Sequence, residues 1–197
     1  ALQAAPYQDQ VRGYGAVLEL GSLTTLSSNV ANARAQLDIA QAKLAASKAA
    51  FNRAQTLYRN QQNVSQAELQ TAEAAFRTDQ AAVAAAEAQL QSVAATAVQD
   101  WGPVLGKELA GSGPLVAQLI ARQAFLIQVS LPPGVALPEP PSTAAIQLAT
   151  GARLSIRFVS VAARTDPKIQ GVSFLYTVPA ESGVLPGMDV LAFLPNG

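Results

Sequence analysis

Charged side chains carry what chemistry this sequence has to offer. It contains no histidine and no cysteine, which removes the commonest metal ligands and most nucleophile–base pairs. A Ser–Lys pair or two carboxylates could still do acid–base work, but no motif for either is present. Met188 is the only methionine and has no His or Cys near it in sequence, so it reads as a residue after a tight turn rather than a soft-metal ligand. Arg153, Arg157 and Arg164 are dispersed along strand-like sequence and read as separate surface charges. No enzyme activity, cofactor or metal is expected. Thirteen basic and thirteen acidic side chains give a net charge of zero, so neither nucleic acid nor anionic lipid is an expected partner.

What remains is pairing chemistry, and the charges are sorted for it. Arg34, Lys43, Lys48, Arg53 and Arg59 lie in one stretch with a single Asp38, and Glu68, Glu73, Asp79, Glu87 and Asp100 lie in the next with a single Arg77. Ser65 followed by Glu68 is a capping box, in which the serine hydroxyl takes the amide three residues on and the carboxylate reaches back. Opposite charge rows on two antiparallel arms would lie side by side. Each exposed pair adds only about 0–1 kcal/mol, so apolar burial must hold the arms together.

The elements that position these charges are two long helices. Apolar or small residues recur at alternating spacings of four and three: Leu26, Val30, Ala33, Leu37, Ala40, Leu44, Ser47, Phe51, Ala54 and Tyr58. The pattern resumes at Leu69, Ala72, Phe76, Asp79, Val83, Ala86, Leu90, Val93 and Ala97. This is a coiled-coil seam of about four to five heptads per arm. Gly21-Ser22 opens helix one, with Ser22 or Thr24 as cap. Asn60-Gln61-Gln62-Asn63-Val64 is the turn, and Trp101-Gly102-Pro103 ends helix two near Asp100. Setting large against small residues across the seam pairs Phe51 with Ala72, Ser47 with Phe76 and Leu44 with Asp79, where Asp79 either meets Lys43 or Lys48 or loosens the packing.

The remaining sequence is strand-like. Ala16–Leu20, after the break Gly13-Tyr14-Gly15, is a strand candidate, and the segment 1–21 is expected to join the β-domain. A connector, 101–124, holds one short helix at Leu115–Gln123. Runs at Phe125–Leu131, Ala144–Leu148, Ala152–Val161, Val172–Val178 and Val190–Leu194 are separated by Pro- and Gly-rich turns, which suggests a small antiparallel barrel or sandwich over 125–197. The hairpin, 22–100, is thus inserted into the β-domain, giving an α+β chain. No run of about 18 apolar residues is present to span a membrane, and no signal peptide is visible.

At its hairpin turn and its C-terminal end the sequence resembles the periplasmic adaptors, or membrane fusion proteins, of tripartite efflux and secretion systems. The family places an Arg, a Leu four residues later and a Ser opening the second helix around the hairpin tip; here these are Arg53, Leu57 and Ser65. The Leu-to-Ser interval is one residue longer than the family's. Thr150-Gly151-Ala152-Arg153-Leu154-Ser155-Ile156, the segment Asp166 to Tyr176, and Leu185-Pro186-Gly187-Met188-Asp189-Val190 resemble the family's β-barrel domain. Neither flank of the hairpin resembles a complete half of the family's lipoyl-like domain, so that domain is expected to be missing or vestigial.

The resemblance implies a non-enzymatic periplasmic protein linking an inner-membrane transporter to an outer-membrane channel. The tip, Arg53, Leu57 and Asn60 to Ser65, would meet the channel, and the barrel would dock on the transporter. It also implies homo-oligomers in the assembled complex and inner-membrane association through a segment outside this sequence. A proton-driven resistance–nodulation–division pump is the first expectation for the transporter and an ATP-driven exporter the second; the lack of Met and His clusters argues against a dedicated copper or zinc adaptor. A self-assembling coiled-coil spacer without an export role is the alternative. A lipid-binding helix pair fits this narrow Ala-rich seam poorly.

Overall fold

The computed structural model describes residues 10–60 and 64–196. Its elements, in chain order, are strand β1 (Gln10–Val17), helix α1 (Gly21–Arg59), helix α2 (Gln66–Gly111), helix α3 (Pro114–Ile120), and strands β2 (Ala124–Ser130), β3 (Thr143–Gln147), β4 (Arg153–Val161), β5 (Ser173–Pro179) and β6 (Asp189–Pro195). They fall into two units, Ser28–Ala95 and the remainder, Ala1–Ser27 with Thr96–Gly197.

Ser28–Ala95 is the helical hairpin. Val30, Ala33 and Ala40 are buried, and Leu37, Leu44, Ser47, Phe51 and Ala54 are half-buried, as the spacing requires. On α2, Leu69, Ala72, Phe76, Asp79, Val83, Ala86, Leu90 and Val93 are all half-buried. Tyr58 departs from the pattern and is 44% exposed, since a phenol at a helix end gains by keeping its hydroxyl in water. Across the seam two aromatic rings meet. Phe51 stacks on Phe76, with ring centroids 5.7 Å apart and planes 5° from parallel, a spacing close to one helical turn of about 5.4 Å and so open to rings in adjacent layers of the seam. Two aromatic faces together bury more apolar surface than each ring against a methyl group.

Among the described residues Lys43, Lys48, Arg53 and Arg59 form no ion pair, and Asp79 meets neither Lys43 nor Lys48; Arg77 pairs with Glu73 on its own helix at 2.6 Å. Fixing two long exposed side chains costs about as much as their attraction returns.

The other unit is built on a closed six-stranded antiparallel barrel of order β1-β2-β5-β4-β3-β6. Every strand among the described residues belongs to it. Alternate residues point inward, among them Val17, Ile127, Ile146, Ile156, Tyr176, Ala192 and Leu194. The first strand corrects the sequence expectation, running over Gln10–Val17 rather than starting at Ala16. Gly13 and Gly15 do not break it. They face the interior, where a Cβ on Gly15 would stand 2.6 Å from Val190 Cγ2 and one on Gly13 3.0 Å from Val129 Cγ1. The glycines make room for the side chains of β6 and β2. Val17 pairs with Ile127 and Gly15 with Val190, so β1 closes the barrel between β2 and β6.

Helix starts and stops hold one further correction and one addition. The Thr24 amide donates to the Leu20 carbonyl at 3.0 Å and the Thr24 hydroxyl donates to the same oxygen, so α1 opens before Ser22 and neither Ser22 nor Thr24 caps it. At the far end α2 breaks at Gly102, whose φ of 81° belongs to no right-handed helix, as the Trp101-Gly102-Pro103 signal requires, and a further helical segment that the sequence reading did not include then runs to Gly111. The resumed segment buries Leu105 and Leu109 and lays Gly106 against the backbone of Val98. With Leu23, Val116, Leu119 and the outward-facing Leu126 of β2, these residues make a second layer of buried apolar side chains outside the barrel. Glu108 then serves the next helix: its carboxylate accepts the amides of Leu115 at 3.0 Å and Val116 at 3.4 Å, capping the first turn of α3.

Candidate functional site

The hairpin turn is the candidate site. α1 ends at Arg59, and the Asn60 amide closes a last turn on the Thr56 carbonyl at 3.1 Å. Ser65 starts α2 as the capping box predicts. The Ser65 amide donates to Glu68 Oε2 at 2.7 Å, the Ser65 hydroxyl donates to the same oxygen at 3.0 Å, and the Glu68 amide donates to Ser65 Oγ at 3.1 Å. The Ser65 carbonyl takes the Leu69 amide, so the cap and the first α-helical bond share one residue. Together the Ser65 amide, first, and its hydroxyl hold the Glu68 carboxyl below the usual range, and it stays ionised at the helix N-terminus, where negative charge is favoured.

Arg53 and Leu57 lie four residues apart and therefore on one face of α1. Arg53 is exposed and unpaired among the described residues, and Leu57 is 37% exposed, more than the half-buried Leu44, Phe51 and Ala54 of the seam. Val64 is half-buried, Asn60 and Ser65 are exposed, and Gln61, Gln62 and Asn63 lie outside the described residues. Hydrogen bonds join Ser65 to Glu68 but not Arg53 to either. Arg53 thus offers its planar five-donor fork to an outside acceptor, with an aliphatic side chain one turn away.

The other residues singled out by the sequence stay apart. Met188 Sδ accepts the Leu185 amide at 3.4 Å inside the turn Leu185–Met188, where Gly187 takes φ 89° and the Met188 amide donates to the Leu185 carbonyl. Pro at the second position and a left-handed Gly at the third make this a type II turn. Its Gly187 amide and Met188 carbonyl both bond Val17, so the motif fastens the end of β1. Arg153 lies over the Phe193 ring at 4.7 Å, Arg164 pairs with Asp100, and Arg157 is exposed. Trp101 is half-buried beside the Gly102 break. Among the described residues no group of His, Cys, Asp or Glu side chains could hold a metal ion, and no helix is long and apolar enough to cross a membrane. Sequence reasoning missed Glu108, whose cap role is visible only once the chain has turned at Gly111–Gly113.

Among solved structures, the chain is similar to a MacA–MexA chimeric protein containing the Pseudomonas aeruginosa MexA α-hairpin domain, at 13% identity over 97% of this chain and 82% of that one, with a TM-score of 0.38. It is similar to ZneB from Cupriavidus metallidurans at 13% identity, over 97% and 91% of the two chains, with a TM-score of 0.32. The membrane fusion protein Spr0693 from Streptococcus pneumoniae R6 is similar at 13% identity over 98% and 87%, with a TM-score of 0.27. No family model and no curated protein matches the chain.

Proposed function

We propose that this chain is a non-enzymatic periplasmic adaptor that links an inner-membrane transporter to an outer-membrane channel, with the hairpin turn as the end that meets the channel. The observation that carries the reading is the exposed Arg53, without an ion-pair partner among the described residues, beside an exposed Leu57 on one helical face, near an α2 start capped by the Ser65–Glu68 box. A cationic fork next to an aliphatic knob suits a groove between partner helices, where carbonyls or carboxylates lie beside an apolar floor. The barrel, with its adaptor-like Leu185-to-Val190 turn, is the part that docks toward the transporter. A proton-driven pump is the first choice for that transporter, and an ATP-driven exporter the second.

Arg53→Asp tests the docking end. Export is expected to be abolished while thermal unfolding changes by under about 0.5 kcal/mol, because the swap touches no packed group. A variant that melts and exports normally would remove the turn as docking site and favour the spacer reading. Export that survives collapse of the proton gradient would replace the proton-driven transporter with the ATP-driven one.

A further inference from the structure

The outer surface of the barrel is treated unequally. On β2 the outward Leu126 is fully buried, and α3 packs over that strand. On β1 and β6 two outward residues stay exposed among the described residues: Tyr14 is 55% exposed and Leu191 47%. These two are direct cross-strand partners. Two residues along the ladder in one direction, on the same face, Arg12 pairs with Phe193, and two residues in the other direction Ala16 pairs with Asp189. Arg153 reaches from β4 to lie over Phe193 at 4.7 Å. Arg12, Arg153 and Asp189 have no ion-pair partner among the described residues. The face therefore has two guanidinium groups at one end, an apolar centre, and Asp189 at the other end, where Asp166 and Lys168 line a hollow with Tyr14, Ala16 and Asp189, so that two carboxylates and one ammonium leave that end acidic. At the strand rise, Phe193 and Asp189 lie about 13 Å apart. Tyr14 and Leu191 stand between a hollow of about 320 Å³ at the arginine end and one of about 420 Å³ at the Asp189 end.

We propose that a second copy of this chain docks on this face about a two-fold axis. In an isologous contact each patch meets itself reversed. An axis running across the strands along the Tyr14–Leu191 row lays Tyr14 and Leu191 on their own counterparts. The same operation sets Arg12 and Arg153 of each copy over Asp189 of the other, so the charges unpaired in one chain pair twice in the dimer. A basic or an acidic partner alone would satisfy one end of the face and repel the other. The inference is independent of the hairpin turn and of the export reading.

The test is sedimentation equilibrium of the whole chain across concentration, with melting curves as the folding control. Wild type is expected to show a monomer–dimer equilibrium that weakens as salt rises. Arg12→Asp with Arg153→Asp in one chain places like charges at both ends of the dimer, and so does Asp189→Arg in another; each alone is expected to bind itself at least about tenfold more weakly. Mixed one to one, the two variants oppose Asp with Arg at both ends and are expected to dimerise again. A wild type that stays monomeric to about millimolar concentration overturns the proposal. So does a dimer that neither variant weakens, or one that the mixture does not restore. Should either variant fail to melt cooperatively, the salt dependence of the wild-type dimer decides, and a salt-independent dimer counts against this face.

Discussion

Phe51 and Phe76 stack across the hairpin, 5.7 Å between ring centroids and 5° from parallel, and this pair ties the two arms together near the turn. An aromatic pair adds about 0.5–1.5 kcal/mol beyond the area it buries. The Phe51→Ala and Phe76→Ala variants with the double variant make a cycle whose coupling is expected near 1 kcal/mol by denaturant melts. A coupling near zero would mean that the stack adds nothing beyond the area the two rings bury separately.

Glu108 is half-buried and caps α3 from the preceding helix. Glu108→Ala strands two amides and is expected to cost about 1 kcal/mol. Glu108→Gln keeps an acceptor but loses the charge at the helix start, and a smaller loss is expected. Equal melting of all three forms would deny the cap.

A side chain on Gly15 has nowhere to go. Gly15→Ala sets a methyl 2.6 Å from Val190 Cγ2, and overpacking of this kind costs about 1–3 kcal/mol. Val190→Ala in the same chain opens the space, so the double variant is expected to be more stable than the two separate losses combined would make it. Strict additivity would mean that the barrel wall yields elsewhere.

These residues also show what the sequence could and could not say. Seam positions such as Leu37, Val83 and Leu90 were legible because helical spacing alone decides which face is buried. Which residue faces which was not, because a shift of one turn keeps the same stripe; the stacking of Phe51 on Phe76 is a contact that only the folded hairpin shows. The Gly13-Tyr14-Gly15 stretch read as a break because small residues weaken an isolated strand, while their purpose lies in the approach of Val129 and Val190 from strands far along the chain. The helix after Gly102 was hidden by its glycines, although Leu105 and Leu109 carry a helical spacing. At the candidate site the Ser65–Glu68 box was fully legible, since all its bonds are local. The exposure of Arg53 and Leu57 required the fold of their neighbours.

The capping box makes the hairpin sensitive to acid. The Glu68 carboxyl is held below its ordinary range by the Ser65 amide and hydroxyl, so the folded state favours the ionised form. Stability from this group is complete above the ordinary Glu range, about 4.3, and is lost as pH falls through the lowered folded value. Helix melting of wild type and Glu68→Gln is expected to differ at neutral pH and to converge in acid. Parallel curves down the whole acid limb would show that the carboxylate adds nothing to the cap.

Tyr176 sets the alkaline limit of the barrel. Its ring is fully buried in the core and its hydroxyl donates to the Pro141 carbonyl at 3.1 Å. Burial pushes its pKa up to about 12, because a phenolate cannot keep its hydration there. In the unfolded chain the group titrates near its ordinary value of about 10. The neutral form is thus favoured by folding: the contribution is fully present below about pH 10 and declines as pH rises from there through 12. Tyr176→Phe keeps the ring and removes the titration, though it leaves Pro141 without its donor. Its stability relative to wild type is expected to be constant from neutral pH to about 10 and then to improve, while the tyrosinate absorbance loses its latest-titrating component. Equal slopes for the two proteins above pH 10 would place the alkaline sensitivity on another group.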